Sequence, residues 1–360
     1  MKLNKFFMLG LAGLAFAACS SDDEVSNFDN GEKQSVVIKI GNEATSRALE
    51  QTPQSEGQIK VGDVTVFYAQ DGAVYLSKTI KKEKTEEYNK LFNEGYVEHN
   101  LPASINQVYV AANITDIEGL KSLEAIQNKV LAVSGQQDFN NIALFGTDTE
   151  LTDDKVNTDD KGHTITKKAE LTINPLVSRI EINKVQCMDL GNIYNEITLK
   201  SIGLLNVFEN VNIAGTGSND LTLANVLEPG SAKKENKYIF GEPNHWAWDA
   251  ISNVKFTQAD NVYPTDGKVV AYHFAANDIK NDIEVRVYLD ATKDGVINPV
   301  NHIVIAKFPK TTFAPGKIYQ VGLVFNEANI GPWDPSQTQC IQVNVTVQKW
   351  EVETLTPQYQ

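Results

Sequence analysis

Apolar and polar residues alternate one by one along most of this chain, and a repeat of two belongs to the β-strand. The pattern runs through Val61-Gly62-Asp63-Val64-Thr65-Val66-Phe67-Tyr68, Gln107-Val108-Tyr109-Val110 and Glu170-Leu171-Thr172-Ile173. It returns in Arg179-Ile180-Glu181-Ile182, Ile283-Glu284-Val285-Arg286-Val287-Tyr288 and Lys317-Ile318-Tyr319-Gln320-Val321. β-Branched and aromatic residues dominate these runs, and clusters of Gly, Asn, Asp and Pro separate them. The expected fold is all-β: antiparallel sandwiches with one packed and one wet face, and few short helices. Leu120, Leu123, Ile126, Val130 and Val133 fall near helical spacing and predict one short helix or turn of helix there. A charged, weaker helical pattern spans Lys81 to Phe92.

The two ends carry different signals. Lys2 and Lys5 precede an apolar stretch from Phe6 to Phe16, followed by Ala17-Ala18-Cys19. This is the order of an export signal, residues 1–18, too short to span a bilayer stably. Cys19 after two alanines fits a bacterial lipobox, with Phe16 where Leu is commonest; an ordinary signal peptide with a chance Cys is the alternative. Ser20-Ser21-Asp22-Asp23-Glu24 then reads as a solvated acidic tether. No later segment is apolar enough to cross a membrane, so the expected protein is anchored by lipid and does not span.

Removing signal and tether from the 360 residues leaves enough chain for two ordinary domains. The polar stretch Thr147 to Lys168 suggests a boundary, giving 19–47 as a lipidated pro-segment, 48–168 and 169–339 as sandwich domains, and 340–360 as an extension. A long hairpin loop within one domain is the competing reading. A formal charge of −14 with no basic stripe argues against nucleic acid and against an anionic membrane surface. Of the 3 cysteines, Cys187 and Cys340 remain after Cys19, and the sequence leaves their pairing open.

No catalytic residue, metal ligand set or cofactor motif is found. His99, His163, His245, His273 and His302 are scattered, with no His-Glu-x-x-His and no Cys-x-x-Cys. Gly215-Thr216-Gly217-Ser218 lacks the Lys and the strand-to-helix context of a phosphate cradle, and a hairpin tip is expected. The acidic residues from Asp153 to Asp160 do not have the spacing of a calcium loop and read as a solvated loop. His245-Trp246-Ala247-Trp248 offers stacking faces for a sugar, but a plug at the end of a sandwich core is favoured. None of this supports an enzyme.

Three other features fit together. Near the C-terminus Ile341, Val343, Val345 and Val347 share one strand face, and the phase then slips so that Trp350 and Val352 fall on even numbers. A bulge or break at Gln348-Lys349 would restore one apolar face. Docking four such aliphatics is worth roughly 6–12 kcal/mol before ordering costs. The preceding Asn326 to Gln339 reads as a polar linker that lets this strand swing away; an ordinary last strand after a long loop is the alternative.

At the other end Ser35 to Gly41 is a short strand with Val36, Ile38 and Ile40 on one face, followed by a loop containing Arg47 and Ala48. The remaining arginines, Arg179 and Arg286, sit inside expected strands, where a protease cannot thread the backbone. An arginine-specific protease would therefore cut once, after Arg47. The strand with Val36, Ile38 and Ile40 would leave a covered sheet edge, and a neighbour's C-terminal strand would fill it by strand addition. Donor and groove at opposite ends make an open, propagating contact.

In these features the chain resembles a fimbrillin, the shaft subunit of the protease-matured (type V) pili of Bacteroidetes. The likeness rests on Lys5-Phe6-Phe7-x-Leu9-Gly10-Leu11-Ala12 with Cys19, Ser35-Val36-Val37-Ile38-Lys39, Arg47-Ala48, the run Leu176 to Gln186, and Val343-Asn344-Val345-Thr346-Val347-x-x-Trp350. The resemblance implies two transthyretin-like domains, delivery to the outer membrane as a lipoprotein, and removal of the first strand. It also implies polymerisation by donor-strand exchange into an extracellular fimbrium that supports adhesion and biofilm formation. The implied partners are copies of the chain, other fimbrial subunits, an arginine-specific protease and, through a transient lipid, the outer membrane. Leu190 to Lys268 matches least. A tip or accessory adhesin needs a groove but no donor strand, so the C-terminal pattern counts against it. A tethered glycan-binding lipoprotein, using Trp246 and Trp248, is the reading from a different class.

Overall fold

The computed structural model describes residues 33–41, 58–154, 167–222, 245–252, 254–265, 267–294, 296–297, 302–310, 313–332, 342–349 and 351–353. The chain opens with β1 (Lys33–Gly41), β2 (Gln58–Lys60), β3 (Val64–Gln70) and β4 (Ala73–Ile80). Helix α1 (Thr85–Phe92), β5 (Tyr96–Pro102), β6 (Gln107–Ala112), α2 (Leu123–Gln127) and β7 (Val130–Ala132) follow. Next come β8 (Leu144–Asp148), β9 (Thr152–Asp153), β10 (Lys167–Thr172) and β11 (Asn174–Pro175). The second half begins with β12 (Ser178–Cys187), β13 (Glu196–Leu205), β14 (Val207–Asn212), β15 (Gly217–Leu221) and β16 (Trp248–Ala250). It continues with β17 (Lys255–Phe256), β18 (Val270–Phe274), β19 (Ile283–Lys293), β20 (Val296–Ile297) and β21 (His302–Phe308). It ends with β22 (Lys317–Phe325), β23 (Gly331–Pro332), β24 (Gln342–Lys349) and β25 (Glu351–Glu353).

The expected all-β class holds, and the strands fall into two sets with one plan. In the first, a sheet ordered β5-β1-β10-β9 accompanies a sheet ordered β11-β8-β6-β3-β4. In the second, β18-β12-β22-β24 accompanies β16-β13-β19-β21-β23. The pairing directions repeat as well. β1 runs antiparallel to β5 and parallel to β10, as β12 runs antiparallel to β18 and parallel to β22. β10 pairs antiparallel with β9 as β22 does with β24, so β24 occupies a sheet edge. Inward residues of both sets, including Val66, Val110, Ile180, Val287 and Val321, form the buried core.

Local chemistry explains the elements. The β3–β4 hairpin turns on Asp71-Gly72, both at positive φ (48° and 87°), the pairing a two-residue hairpin requires. Ser122 caps α2 by accepting a hydrogen bond from the Ala125 N–H at 3.1 Å. The short helix or turn of helix expected within Leu120 to Val133 is α2, and Val130 begins a strand and is 54% exposed. An i, i+3 series also arises when a one-turn helix runs into an extended segment, as it does here. The weaker pattern before Phe92 gives the longer helix, α1, which buries Tyr88 and Leu91. Gly215 to Ser218 belong to the β14–β15 hairpin, with Gly215 at φ 84°.

The expected boundary near Lys168 falls inside β10. That strand and β11 pair with β1 and β8, so the first set of strands runs through Pro175 and the second begins at Ser178. A loop and the strand after it can belong to the same sheet. The two sets also touch. β7 pairs antiparallel with β14, and the Gln137 side chain donates to the His273 carbonyl while its own oxygen accepts from the His273 N–H, each at 2.9 Å. No described helix is long and apolar enough to cross a membrane.

Candidate functional site

β1 lies in the middle of its sheet rather than at an edge. On one side Val36, Val37 and Ile38 face Glu98, Val97 and Tyr96 of β5; on the other Val36, Ile38 and Ile40 face Lys167, Ala169 and Leu171 of β10. Val36 and Ile38 are fully buried and Ile40 nearly so. Three such side chains are worth roughly 5–9 kcal/mol of burial. Removing β1 leaves an apolar slot walled by two bare edges of backbone N–H and C=O, each needing a partner.

The ends of the slot are finished by polar contacts. Gln34 Nε2 donates to the carbonyls of Pro102 and Ile105, both at 2.8 Å, and Ser35 Oγ lies 2.8 Å from His99 Nδ1. Val37 presses on Gly95, where an added Cβ would stand 2.4 Å from Val37 Cγ2 and where φ is 103°. Only glycine meets both demands. Beside it, Tyr96 Oη and Lys78 Nζ both donate to Glu98 Oε2, at 3.0 and 2.9 Å.

At the other end of the chain β24 pairs, among the described residues, with β22 alone, antiparallel. The register sets Val343, Val345 and Val347 opposite Leu323, Val321 and Tyr319, whose side chains are buried. The expected phase slip coincides with a change of partner. β25, carrying Val352, leaves that sheet and pairs parallel with β2, Val352 standing opposite Ile59. Cys19, Arg47, Ala48, Ile341 and Trp350 lie outside the described residues. β1 and β24 therefore belong to different sheets of one chain, and the structure does not bring them together.

The other arginines are withdrawn from solvent. Arg179 in β12 and Arg286 in β19 are buried, and each has a carboxylate two residues away: Arg179 Nε donates to Glu181 at 2.7 Å and Arg286 to Glu284 at 2.6 Å. Arg179 also reaches His273 Nε2 at 2.9 Å and lies over the Phe139 ring, while His273 Nδ1 sits 2.7 Å from the Gln136 carbonyl. Burial, and then the adjacent guanidinium, pushes the His273 imidazole down to about 3. The neutral ring donates at Nδ1 and accepts at Nε2, joining β18 to the turn before Phe139. No motif signals this node, since Arg179 stands 94 residues and Gln136 137 residues from His273.

The Trp246 and Trp248 pair is turned inward. His245 stacks on Trp248 with centroids 3.9 Å apart, Trp248 is buried, and Glu209 accepts from Trp246 Nε1 at 2.9 Å and sits 3.1 Å from His245 Nε2. The rings serve one another and the core. Cys187 is a buried free thiol, pushed up to about 12 by burial; Cys340 lies outside the described residues. The polar linker expected from Asn326 is ordered in its first part: Glu327–Asn329 form a 3-10 turn and Gly331–Pro332 form β23 against β21. Sequence polarity hid this, because Glu327 is a buried carboxylate. Among the described residues no group of three His, Cys, Asp or Glu is placed to hold a metal ion.

No protein-family model matches this chain, and no curated protein matches it. Solved structures do. A protein assigned to cell adhesion from Bacteroides eggerthii covers 91% of this chain and 99% of its own, at TM-score 0.55 and 15% identity. A second, from Parabacteroides distasonis, covers 90% and 98%, at 0.53 and 10%. A fimbrilin from Porphyromonas gingivalis covers 91% and 100%, at 0.52 and 14%. The fold of this chain is theirs over nearly its whole length; at such identities the likeness is one of fold.

Proposed function

We propose that this chain is a fimbrillin-type structural subunit of a surface fimbrium, assembled by exchange of strands between copies and without catalytic activity. The observation that carries this reading is β1. It is a buried, central strand, and the covalent chain that follows it leads to Arg47, while Arg179 and Arg286 are buried in strands. Cutting after Arg47 detaches β1 from everything downstream, so its hold is then only non-covalent. A strand with the alternation of Val343, Val345 and Val347 is suited to the vacancy, because a β-slot reads backbone hydrogen bonds and alternate apolar side chains. The fold shared with a fimbrilin and with cell adhesion proteins is consistent with this role.

On this reading residues 1–18 are removed on export, Cys19 carries the lipid, and the precursor stays on the outer membrane until cleavage releases Ala48 as the new N-terminus. The apolar segment Ile341 to Val347, with Trp350 and Val352 beyond it, docks into the next copy or into another fimbrial subunit. The test is digestion of the precursor with an arginine-specific protease, followed by mass spectrometry and negative-stain microscopy. An Ala48 N-terminus together with filaments is expected, and Arg47→Ala is expected to remain uncut and monomeric. Full polymerisation of Arg47→Ala would overturn the activation step.

A further inference from the structure

The stretch that carries the chain from β22 toward β24 is fastened at one residue. Glu327 is 1% exposed, and its carboxylate accepts four successive backbone N–H groups. Oε1 takes those of Gly191 and Tyr194 at 2.8 and 3.0 Å, and Oε2 those of Asn192 and Ile193 at 3.1 and 2.6 Å. The return contact is equally direct: Asp189 Oδ1 accepts from the Glu327 N–H at 2.6 Å. The Met188 N–H donates to the Phe325 carbonyl at 2.9 Å, and Asn192 Nδ2 donates to the Asp189 carbonyl at 2.8 Å. Just beyond, Gly331 and Pro332 pair with Ile303 and His302 of β21.

A run of N–H groups converging on one point is an anion cradle, and here the chain's own carboxylate fills it. A buried charge is stable only when so satisfied, so pulling Glu327 out strands both the carboxylate and four donors. β24, in contrast, is attached along one edge. Force on the C-terminal strand therefore works against the ladders of β24 to β22 and β25 to β2 before it meets the stronger hold at Glu327.

We infer that Glu327, held by the loop Gly191–Tyr194, is the anchor that fixes where the C-terminal arm swings. The chain through Pro332 stays with the second set of strands, and everything beyond it moves as the arm. The inference rests on the strand-exchange reading and adds its hinge. About ten residues separate Pro332 from Gln342, a reach of roughly 35 Å when extended. The anchor thereby sets how far a donor strand can be delivered.

Native-state hydrogen exchange on the full chain in rising denaturant tests this without any filament. The amides of β24 are expected to exchange at least about tenfold faster than those of Gly191, Asn192, Ile193 and Tyr194. Glu327→Gln is expected to cut protection of those four at least about tenfold, and Asp189→Asn, which keeps the cradle filled, to cut it less. Exchange of β24 in step with the four loop amides in the unaltered chain overturns the anchor, as does unchanged protection in Glu327→Gln. A cleaved chain that does not assemble counts against strand exchange, while these rates still decide the anchor.

Discussion

β1 and β12 hold equivalent places in the two sets of strands, yet on the proposed strand-exchange reading only β1 leaves. Each is a central strand with an antiparallel neighbour on one side and a parallel one on the other. β12 is joined to the rest at both ends, following β11 after two residues and leading into the loop that binds Glu327. Among the described residues, β1 is followed by the rest of the fold through its C-terminal end, on the side of Arg47. On the proposed reading the same packing is permanent in one place and removable by a single cut in the other. β24 adds a third case, an edge strand that on this reading departs with the loss of its ladder to β22, followed by β25 with the loss of its ladder to β2.

The deepest test of that comparison is the slot itself. Ile38→Ala removes a fully buried side chain and should destabilise the precursor by about 2–5 kcal/mol in chemical denaturation. The same change should cost the cleaved, assembled form much less, since β1 has gone. Ile180→Ala in β12, also fully buried, should cost a similar amount in both forms. Equal effects of Ile38→Ala before and after assembly would mean that β1 stays in place.

Acid probes the contact between the two sets. His273 is neutral when folded and ordinarily titrates near 6.5, so the unfolded chain binds the extra proton first as pH falls. Stability from this site is complete above about pH 6.5 and is lost toward pH 3, by up to about 1.4 kcal/mol per unit. Thermal unfolding of His273→Gln, measured across that range, should lose part of the dependence. A smaller local effect is expected at Gly95. Gly95→Ala collides with Val37 and demands a positive φ, so it should loosen β1 by about 1–3 kcal/mol and raise exchange along β5.

Much of this was legible from residue order. Alternation identified most long strands, because a half-buried sheet prints its two faces on the sequence. It also marked Val36, Ile38 and Ile40 as a face before their neighbours were known. Parallel pairing was not legible, since β1 meets β10, and β12 meets β22, across more than a hundred residues with nothing local to report it. The short helix around Leu123 was legible as well, although Val130 and Val133 continue its apolar spacing past its end. Glu327 was hidden for the opposite reason: charge normally means solvent, and here backbone N–H groups replace it. The phase slip before Trp350 was visible, but not that β25 would turn to β2.

Hydrogen exchange at β5 and β10, in the precursor, just after cleavage and after assembly, tests strand replacement most directly. Their amides should be protected in the precursor, lose protection when β1 departs, and regain it only as copies assemble. A chain lacking residues 340–360 should stop at the unprotected stage and remain monomeric. Recovery of protection in that truncated chain, or protection that never changes in the intact one, would contradict the replacement of β1 by a neighbour's C-terminal strand.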